Sequence, residues 1–244
     1  MDVTERTAPS GARRTRGRRA GIDLARIIEA ARSLDAEAVT MQAVANKLGV
    51  DRKAVHHYVS DRESLLKLMA LDAFAERSAT VEIPEEASWQ EACRTYAAAF
   101  TDSLIAAGVL ADHLMPDESL YARFVEQVEA IAKKLGQAGF DDEAAVRCLA
   151  LLTNLCWAYA RDVIHVAHSG ERLRPRLTRQ LVEGRDPEAF ENLARIVERG
   201  IDTYDRAQLE LSIEVFIRGS ETVLLPHHDP SGTTGAEAQP RVCP

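Results

Sequence analysis

Several features that mark particular classes of protein are missing from this sequence of 244 residues. No run of about 18 uncharged apolar residues occurs, so the sequence predicts no membrane-spanning helix. No apolar segment follows the N-terminal arginines, which argues against a signal peptide. The four cysteines, Cys93, Cys148, Cys156 and Cys243, form no Cys-x-x-Cys pair. That spacing fits reduced thiols, and we expect a cytoplasmic protein.

Motifs of catalysis are also absent. The sequence has no Gly-x-Ser-x-Gly, no phosphate-binding Gly-x-x-x-x-Gly-Lys-Ser/Thr, no dinucleotide fingerprint and no His-Glu-x-x-His. His165 and His168 have a spacing that could bind a metal, but no third ligand is evident nearby, and cations are favoured at a helix C-terminus in any case. The sequence therefore predicts neither an enzyme nor a cofactor nor a metal site.

Charge is unevenly distributed along the chain, whose net charge is −8. Residues 1–62 carry 12 Lys and Arg against 8 Asp and Glu, whereas residues 63–244 carry 18 against 30. A basic N-terminal end on an acidic body directs a polyanion to that end. Nucleic acid is therefore a credible partner despite the negative total.

A helix-turn-helix pattern lies in the basic part, at about residues 40–59. Thr40 is placed to cap a short helix, Gly49 to make the turn, and Asp51 to cap a second short helix. Two short helices joined by a Gly-containing turn are typical of DNA-binding proteins that place the second helix in the major groove. A preceding helix capped by Asp23, and a following one opened by a capping box at residues 60–63, complete the predicted domain.

Helical periodicity continues through the rest of the chain and predicts an all-α protein. We expect a disordered basic arm at 1–20, a DNA-binding domain of three helices at 21–80 and a larger helical regulatory and dimerisation domain at 81–225, followed by a disordered tail at 226–244. Within the larger domain, the predicted elements are helices at 88–107, 116–136, 141–167, 188–200 and 204–225, with a charged connection at 170–187.

These residues carry a family resemblance. The segments Ile27–Ala31, Val39–Val50, Val55–Val59 and Arg62–Leu66 resemble the DNA-binding domain of TetR-family transcriptional repressors. More loosely, residues 135–140 and 204–219 resemble the all-α regulatory domain of the tetracycline-repressor-like branch. The chain departs from the family at residues 55–59, where Val-His-His-Tyr-Val stands in place of Leu-Tyr-x-His-Phe, and Arg62 replaces the family's Lys.

The first turn of the second helix projects deepest into the groove, so we expect its cations to read bases. Arg52 and Lys53 are candidates for guanine contacts, and Ala54 for a thymine methyl. His56 and His57 are weaker candidates for base edges. Phosphate contacts are expected from Thr40, Gln42, Tyr58 and Arg62. The basic arm at residues 1–20 is either a solvated tail with no contact to DNA or a segment that binds phosphates or the minor groove. In the second case the contacts come from Arg13, Arg14, Arg16, Arg18 and Arg19.

Aromatic residues of the larger domain are candidates for an effector cavity, although ordinary core packing is the favoured explanation for each of them. The residues concerned are Trp89, Tyr96, Phe100, Phe124 and Trp157. Asn154 and Arg161 are polar groups that could orient a ligand. The resemblance implies a metal-chelating His near residues 106–108 in tetracycline-binding members. Only His113 lies nearby, so we do not expect a magnesium–tetracycline effector.

The sequence thus predicts a ligand-responsive repressor that binds a palindromic operator as a homodimer and is released by a small-molecule effector. Residues 144–167 and 204–225 are expected to form a four-helix dimer interface. Two alternatives stay open: an effector-independent or architectural DNA-binding protein, and an enzyme with a DNA-binding head. The acidic helical body disfavours the first, and the missing motifs disfavour the second.

Overall fold

The computed structural model describes residues 21–78, 82–114, 116–186 and 188–224. Within these ranges all regular secondary structure is helical, which confirms the all-α prediction. The helices are α1 (Leu24–Arg32), α2 (Met41–Leu48), α3 (Arg52–His56), α4 (Arg62–Ser78), α5 (Trp89–Ala107), α6 (Glu118–Tyr121), α7 (Val125–Gln137), α8 (Asp142–Ser169), α9 (Leu173–Val182), α10 (Glu191–Arg199) and α11 (Arg206–Val223). Short 3-10 turns lie at Ala36–Ala38 and Gly108–His113.

The chain divides into two compact units, one ending at Leu65 and the other beginning at Leu66. The first unit contains α1, α2, α3 and the beginning of α4. Its core consists of apolar side chains that are buried completely: Ile27, Ala31, Val39, Val44, Ala45, Val55 and Leu65. Leu24 has the helical spacing of the buried face of α1 but is exposed at the first residue of that helix. The predicted domain boundary near residue 80 remains a prediction.

The start of α4 differs by one residue from the predicted capping box. The carboxylate of Asp61 accepts the backbone N–H of Ser64 at 2.7 Å, and α4 begins at Arg62. Ser60 donates its hydroxyl to Asp61 at 3.1 Å instead of capping the helix. These hydrogen bonds lower the pKa of Asp61, with the backbone bond from Ser64 as the main cause. The wrong residue was predicted because Ser and Asp are equally good caps and stand side by side.

The second unit is built around α5, which packs against α7, α8 and α11. An apolar stripe along α5 faces these neighbours, and its residues Trp89, Cys93, Tyr96 and Phe100 are all buried. A capping box starts this helix: the Ser88 hydroxyl accepts the N–H of Glu91, whose carboxylate accepts the N–H of Ser88 at 2.8 Å.

The helix predicted over 116–136 is wrong as a single element. The chain forms α6, breaks at 122–124 and resumes as α7. At the break, Phe124 has φ −138° and ψ 13°, and its side chain is buried. Its ring lies 5.4 Å from that of Phe100 and 6.4 Å from those of Phe74 and Tyr96. Packing of this ring into an aromatic cluster coincides with the interruption of the helix.

The charged connection predicted at 170–187 is also wrong, because it contains α9. Pro175 lies in the first turn of this helix, where a missing N–H costs nothing. α9 packs against α10. Neither helix buries a residue among those described, and their apolar side chains, including Leu181 and Ile196, are exposed.

The long helix α8 packs against α5 on one side and α11 on another. Asp141 caps its N-terminus, and Gly170, with φ 70°, ends it in the left-handed conformation that a Cβ disfavours. Along the seam with α11, apolar side chains remain exposed and line a groove of about 640 Å³. None of the described helices is long and apolar enough to cross a membrane.

Candidate DNA-binding site and ligand cavities

Local hydrogen bonds fix the two short helices of the predicted motif. The Thr40 hydroxyl accepts the N–H of Ala43 at 3.0 Å, and the Asp51 carboxylate accepts the N–H of Lys53 at 2.7 Å. Gly49 ends α2 with φ 65° and ψ 33°, the left-handed conformation that glycine adopts without strain. The fully buried Val44 and Val55 lie on the inner faces of α2 and α3. The helix-turn-helix therefore has the predicted form.

The outer face of α3 presents cations. Arg52 and Lys53 are exposed in its first turn, and Ala54 is half-buried beside them. Within the described residues, the Lys53 ammonium has no hydrogen-bond or ion-pair partner. A free cation at the start of a short, protruding helix is suited to an anionic partner such as the DNA backbone or a guanine edge.

Arg52 is held by a relay along its own helix. Its Nε donates to Nε2 of His56 at 3.1 Å, and Nδ1 of His56 lies 3.0 Å from the carbonyl oxygen of Ser60. Because a carbonyl only accepts, the proton of the ring is on Nδ1, and Nε2 is the acceptor. His56 thus accepts from Arg52, donates to Ser60 and orients the Arg52 guanidinium. The sequence suggested base contact for His56 but did not reveal this positioning.

Two of the predicted phosphate ligands are engaged within the protein. The Tyr58 hydroxyl donates to the carbonyl of Ile22 at 2.8 Å, and Nε of Arg62 donates to the carbonyl of Val39 at 2.7 Å. Both contacts tie the ends of α3 and α4 to preceding segments of the same unit. Because a tyrosine has a single hydrogen to donate, the contact with Ile22 uses the donor of Tyr58.

Other predicted DNA contacts lie on the exposed surface of the unit. Gln42 donates to the side chain of Asn46 at 2.8 Å, and His57 stacks edge-on against Tyr58 with 5.4 Å between ring centroids. The Thr40 hydroxyl accepts a capping bond, which leaves its hydrogen for another acceptor. The arginines of the arm, Arg13, Arg14, Arg16, Arg18 and Arg19, and the tail at 226–244 lie outside the described residues.

Aromatic residues predicted for an effector cavity form one cluster in the second unit. Tyr96 and Phe100 stack at 5.4 Å, and Phe124 and Trp157 pack edge-on to Phe100 at 5.4 and 6.1 Å. The space between Phe74, Tyr96, Phe100, Phe124 and Gln127 is only about 10 Å³. A cavity of this size holds about one water molecule, far less than the roughly 300–1,000 Å³ of ligand sites. The rings pack as a closed core.

The remaining predicted ligand residues are not brought to this cluster. Trp89 packs on Phe140 with 5.1 Å between ring centroids, and Asn154 is exposed on α8. His113 is half-buried at the end of its 3-10 turn. Arg161 lines a different cavity of about 360 Å³, which has both charged and apolar walls. The predicted set is therefore divided among several places in the second unit.

Two interior polar contacts were not foreseen. The Tyr96 hydroxyl lies 3.2 Å from that of Thr153, and burial raises the pKa of this tyrosine above its usual range. Lys134 is buried, and its Nζ donates to the carbonyls of Glu85 and Ala87 at 2.9 and 2.8 Å. A lysine on an otherwise apolar helical stripe was the available signal. No group of three or more His, Cys, Asp or Glu side chains in the described residues is arranged to hold a metal ion.

These observations define an all-α protein with an N-terminal helix-turn-helix and a helical second unit. Comparison with solved structures identifies proteins that share this fold. A TetR-type transcriptional regulator from Streptomyces coelicolor matches with a TM-score of 0.62 and 20% identity, covering 83% of this chain and 99% of its own. The Streptomyces coelicolor TetR-family protein ActR, in complex with actinorhodin, matches with a TM-score of 0.65 and 22% identity over 82% of this chain and 96% of its own.

A variant of TetR from Acinetobacter baumannii in complex with minocycline is also similar, with a TM-score of 0.60 and 16% identity over 87% of this chain and 100% of its own. No family model matches the sequence, and no curated protein matches it. The chain therefore has the fold of TetR-family transcriptional regulators, and the predicted resemblance is confirmed at the level of fold.

Proposed function

We propose that this protein is a ligand-responsive transcriptional repressor of the TetR type. It binds a palindromic operator as a homodimer and is released when a small molecule binds the second unit. The observation that carries the proposal is the exposed pair Arg52 and Lys53 in the first turn of α3, on a helix that Thr40, Gly49 and Asp51 hold in place. The proposal assigns the chain no catalytic reaction.

Recognition of DNA follows from the chemistry of this pair. A guanidinium matches O6 and N7 of guanine with two hydrogen bonds, and each good contact of this kind discriminates by about 1–3 kcal/mol. His56 supports it by fixing the direction of Arg52 through the 3.1 Å hydrogen bond. Lys53, Thr40 and Arg62 supply the cations and donors that fix register on phosphates.

The groove between α8 and α11 supports the homodimer. Its walls include exposed Leu151, Leu211, Val215 and Val223. Apolar side chains concentrated in one seam are more favourable when buried against another surface. A second copy placing the same helices over the groove would complete a four-helix bundle with a self-complementary, two-fold interface.

The effector is proposed to be a planar aromatic molecule that enters the ring cluster of Tyr96, Phe100, Phe124 and Trp157. Support comes from the ligands of the structural neighbours, actinorhodin and minocycline, both named with proteins of this fold. Because the cluster is closed in this structure, the rings must move apart to admit a ligand. The effector acts only by its differential affinity for the closed and opened states.

The experiment first selects an operator from randomised palindromic DNA with the wild-type protein, and then measures affinity by fluorescence anisotropy. Arg52→Ala and Lys53→Ala are expected to lower specific affinity by about tenfold to a hundredfold, the equivalent of 1–3 kcal/mol. Arg179→Ala and Lys133→Ala, which remove exposed cations from α9 and α7, are the matched controls. Unchanged affinity in both α3 variants would overturn the assignment of the reading helix.

Binding of the effector is tested separately. Actinorhodin is added to the complex of protein and operator, and release is followed by anisotropy. Phe100→Ala enlarges the cluster and is expected to change the concentration needed for release, whereas Leu181→Ala, which truncates an exposed side chain of α9 outside the cluster, is the control. A planar aromatic panel that neither binds the protein nor releases DNA would contradict the ring cluster as the effector site.

A further inference from the structure

A second cavity, separate from the aromatic cluster, lies at the C-terminal end of α8. It has a volume of about 360 Å³, and its polar lining comprises Arg161, Asp162, His165 and His168 of α8, Asp112 of the 3-10 turn after α5, Arg174 of α9, and Tyr204. A volume of this size lies within the range of small-molecule sites in proteins. The cavity takes no part in the proposed DNA contacts or in the aromatic effector site.

The cations converge because of the helical period. Arg161, His165 and His168 are spaced i, i+4, i+7, which places them on one face of α8. Within the described residues, the side chains of Arg161 and both histidines make no hydrogen bond or ion pair. The helix dipole favours cations only in the last turn. It therefore accounts for His168, close to the end at Ser169, but not for Arg161, two turns earlier.

The other guanidinium of the cavity is already neutralised. Arg174 forms an ion pair with Asp162, contacts the hydroxyl of Thr203 at 3.3 Å and lies 4.4 Å above the ring of Tyr204. The backbone N–H of Arg174 donates to the Tyr204 hydroxyl at 3.0 Å. That hydroxyl keeps its own hydrogen for a further acceptor. The groups of the cavity that are unpaired within the described residues are therefore mainly donors, with Arg161 as the full positive charge and Asp112 as an unpaired carboxylate.

Apolar side chains form the rest of the wall, and they restrict the chemistry of an occupant. Val109, Ile164 and Leu173 line the same cavity. Asp112 adds a carboxylate, which repels a dianion about twice as strongly as a monoanion at the same distance. A phosphate dianion is disfavoured on both counts. A monoanion attached to an apolar body satisfies the guanidinium and the apolar wall together.

We propose that this cavity binds a small organic carboxylate, with the carboxylate on Arg161 and the apolar body against Val109, Ile164 and Leu173. A planar guanidinium recognises a carboxylate through two parallel hydrogen bonds, which lysine cannot reproduce. The imidazoles of His165 and His168 and the hydroxyl of Tyr204 are the additional donors. The site goes beyond the proposed repressor function and does not depend on it.

The test is calorimetric titration of the full chain, without DNA, with three probes: benzoate, phenylacetate and hexanoate. At least one is expected to bind saturably, whereas the corresponding amide, such as benzamide for benzoate, binds much more weakly. Arg161→Gln should weaken carboxylate binding by about tenfold to a hundredfold, the range for a hydrogen bond to a charged group. Arg179→Gln, an exposed arginine of α9 outside the cavity, should leave it unchanged.

Arg161→Lys keeps the charge without the planar fork and should give an intermediate affinity. Since the Arg161 side chain is exposed, none of these changes removes a core contact, and an unchanged unfolding temperature verifies this. The proposal is overturned if none of the carboxylates binds at millimolar concentration, if the amides bind as well, or if Arg161→Gln binds like wild type. Binding of inorganic phosphate at Arg161 in preference to the carboxylates would overturn the ligand class. None of these results depends on operator binding.

Discussion

Replacing Val215 by Glu tests the proposed dimer at the centre of the α8–α11 groove. Val215 is 63% exposed, and its neighbours Leu211 and Val223 on α11 are 58% and 78% exposed. Such side chains retain most of their apolar surface for a partner. Val215→Glu removes one of them and places a carboxylate in a groove whose exposed surface is mainly apolar, although Arg147, Gln208, Ser212 and Ser220 also line it.

The magnitude follows from the exposed fraction. Burying a whole valine or leucine side chain contributes about 1.5–3 kcal/mol, so the exposed two-thirds of Val215 corresponds to about 1–2 kcal/mol. A two-fold interface contains the substitution twice, which gives about 2–4 kcal/mol. The dimer dissociation constant should therefore rise by about thirtyfold to a thousandfold. Desolvation of the two carboxylates adds to this loss.

The assay is sedimentation velocity across a dilution series at micromolar concentrations, with operator affinity measured in parallel. Val125→Glu is the matched control, since Val125 is 54% exposed on α7 and does not line the groove. We expect Val215→Glu to dissociate to a monomer and to lose operator affinity, while Val125→Glu behaves like wild type. If Val215→Glu associates as strongly as wild type, the two-fold bundle over this groove is refuted.

Three further predictions concern single contacts. Lys134→Met removes the donor of two hydrogen bonds to backbone carbonyls and should lower the free energy of unfolding, measured by urea titration, by about 2 kcal/mol. Lys133→Met changes an exposed neighbour and should leave the free energy of unfolding unchanged. Equal effects of the two substitutions would contradict a stabilising role of the Lys134 hydrogen bonds. Tyr58→Phe should lower the free energy of unfolding by about 0.5–1 kcal/mol, because the hydroxyl donates to the carbonyl of Ile22. Weaker operator binding at an unchanged free energy of unfolding would instead favour the contact of Tyr58 with a DNA phosphate. Burial raises the pKa of Cys156 to about 11, so iodoacetamide should modify this thiol slowly in the native protein at neutral pH and rapidly in denaturant. Peptide mass spectrometry measures both rates of modification. Equal rates would show that the thiol is accessible in the native protein.

Much of the first unit could be predicted because its signals are local. Thr40, Gly49 and Asp51 each determine the conformation of the few residues beside them, and all three act in the structure as the sequence indicates. The relay from Arg52 through His56 to Ser60 is equally local, at i, i+4 spacings. It was missed because an exposed histidine on a reading helix was interpreted as a contact to DNA and not as a support for its neighbour.

The second unit was less predictable because its breaks respond to distant residues. The interruption at 122–124 accompanies burial of Phe124 against Phe74, Tyr96 and Phe100, all remote in sequence. Helix α9 was overlooked for a different reason. Its apolar residues Leu173, Leu177 and Leu181 recur every four residues, which is a helical pattern. The arginines between them were instead interpreted as part of a charged connection.

The division of the predicted ligand residues of α8 shows what periodicity leaves undetermined. Asn154, Trp157 and Arg161 are spaced i, i+3, i+7, so a helical wheel places them on one face. Each turn, however, advances about 5.4 Å along the axis, and Arg161 therefore lies about 6 Å beyond Trp157 and about 10 Å beyond Asn154. The Trp157 ring reaches the closed aromatic cluster through Phe100, whereas Arg161 lines the second cavity beside His165. Residues on one face of α8 thus contribute to two separate places, of which only the second contains charged groups, and a ligand for one need not resemble a ligand for the other.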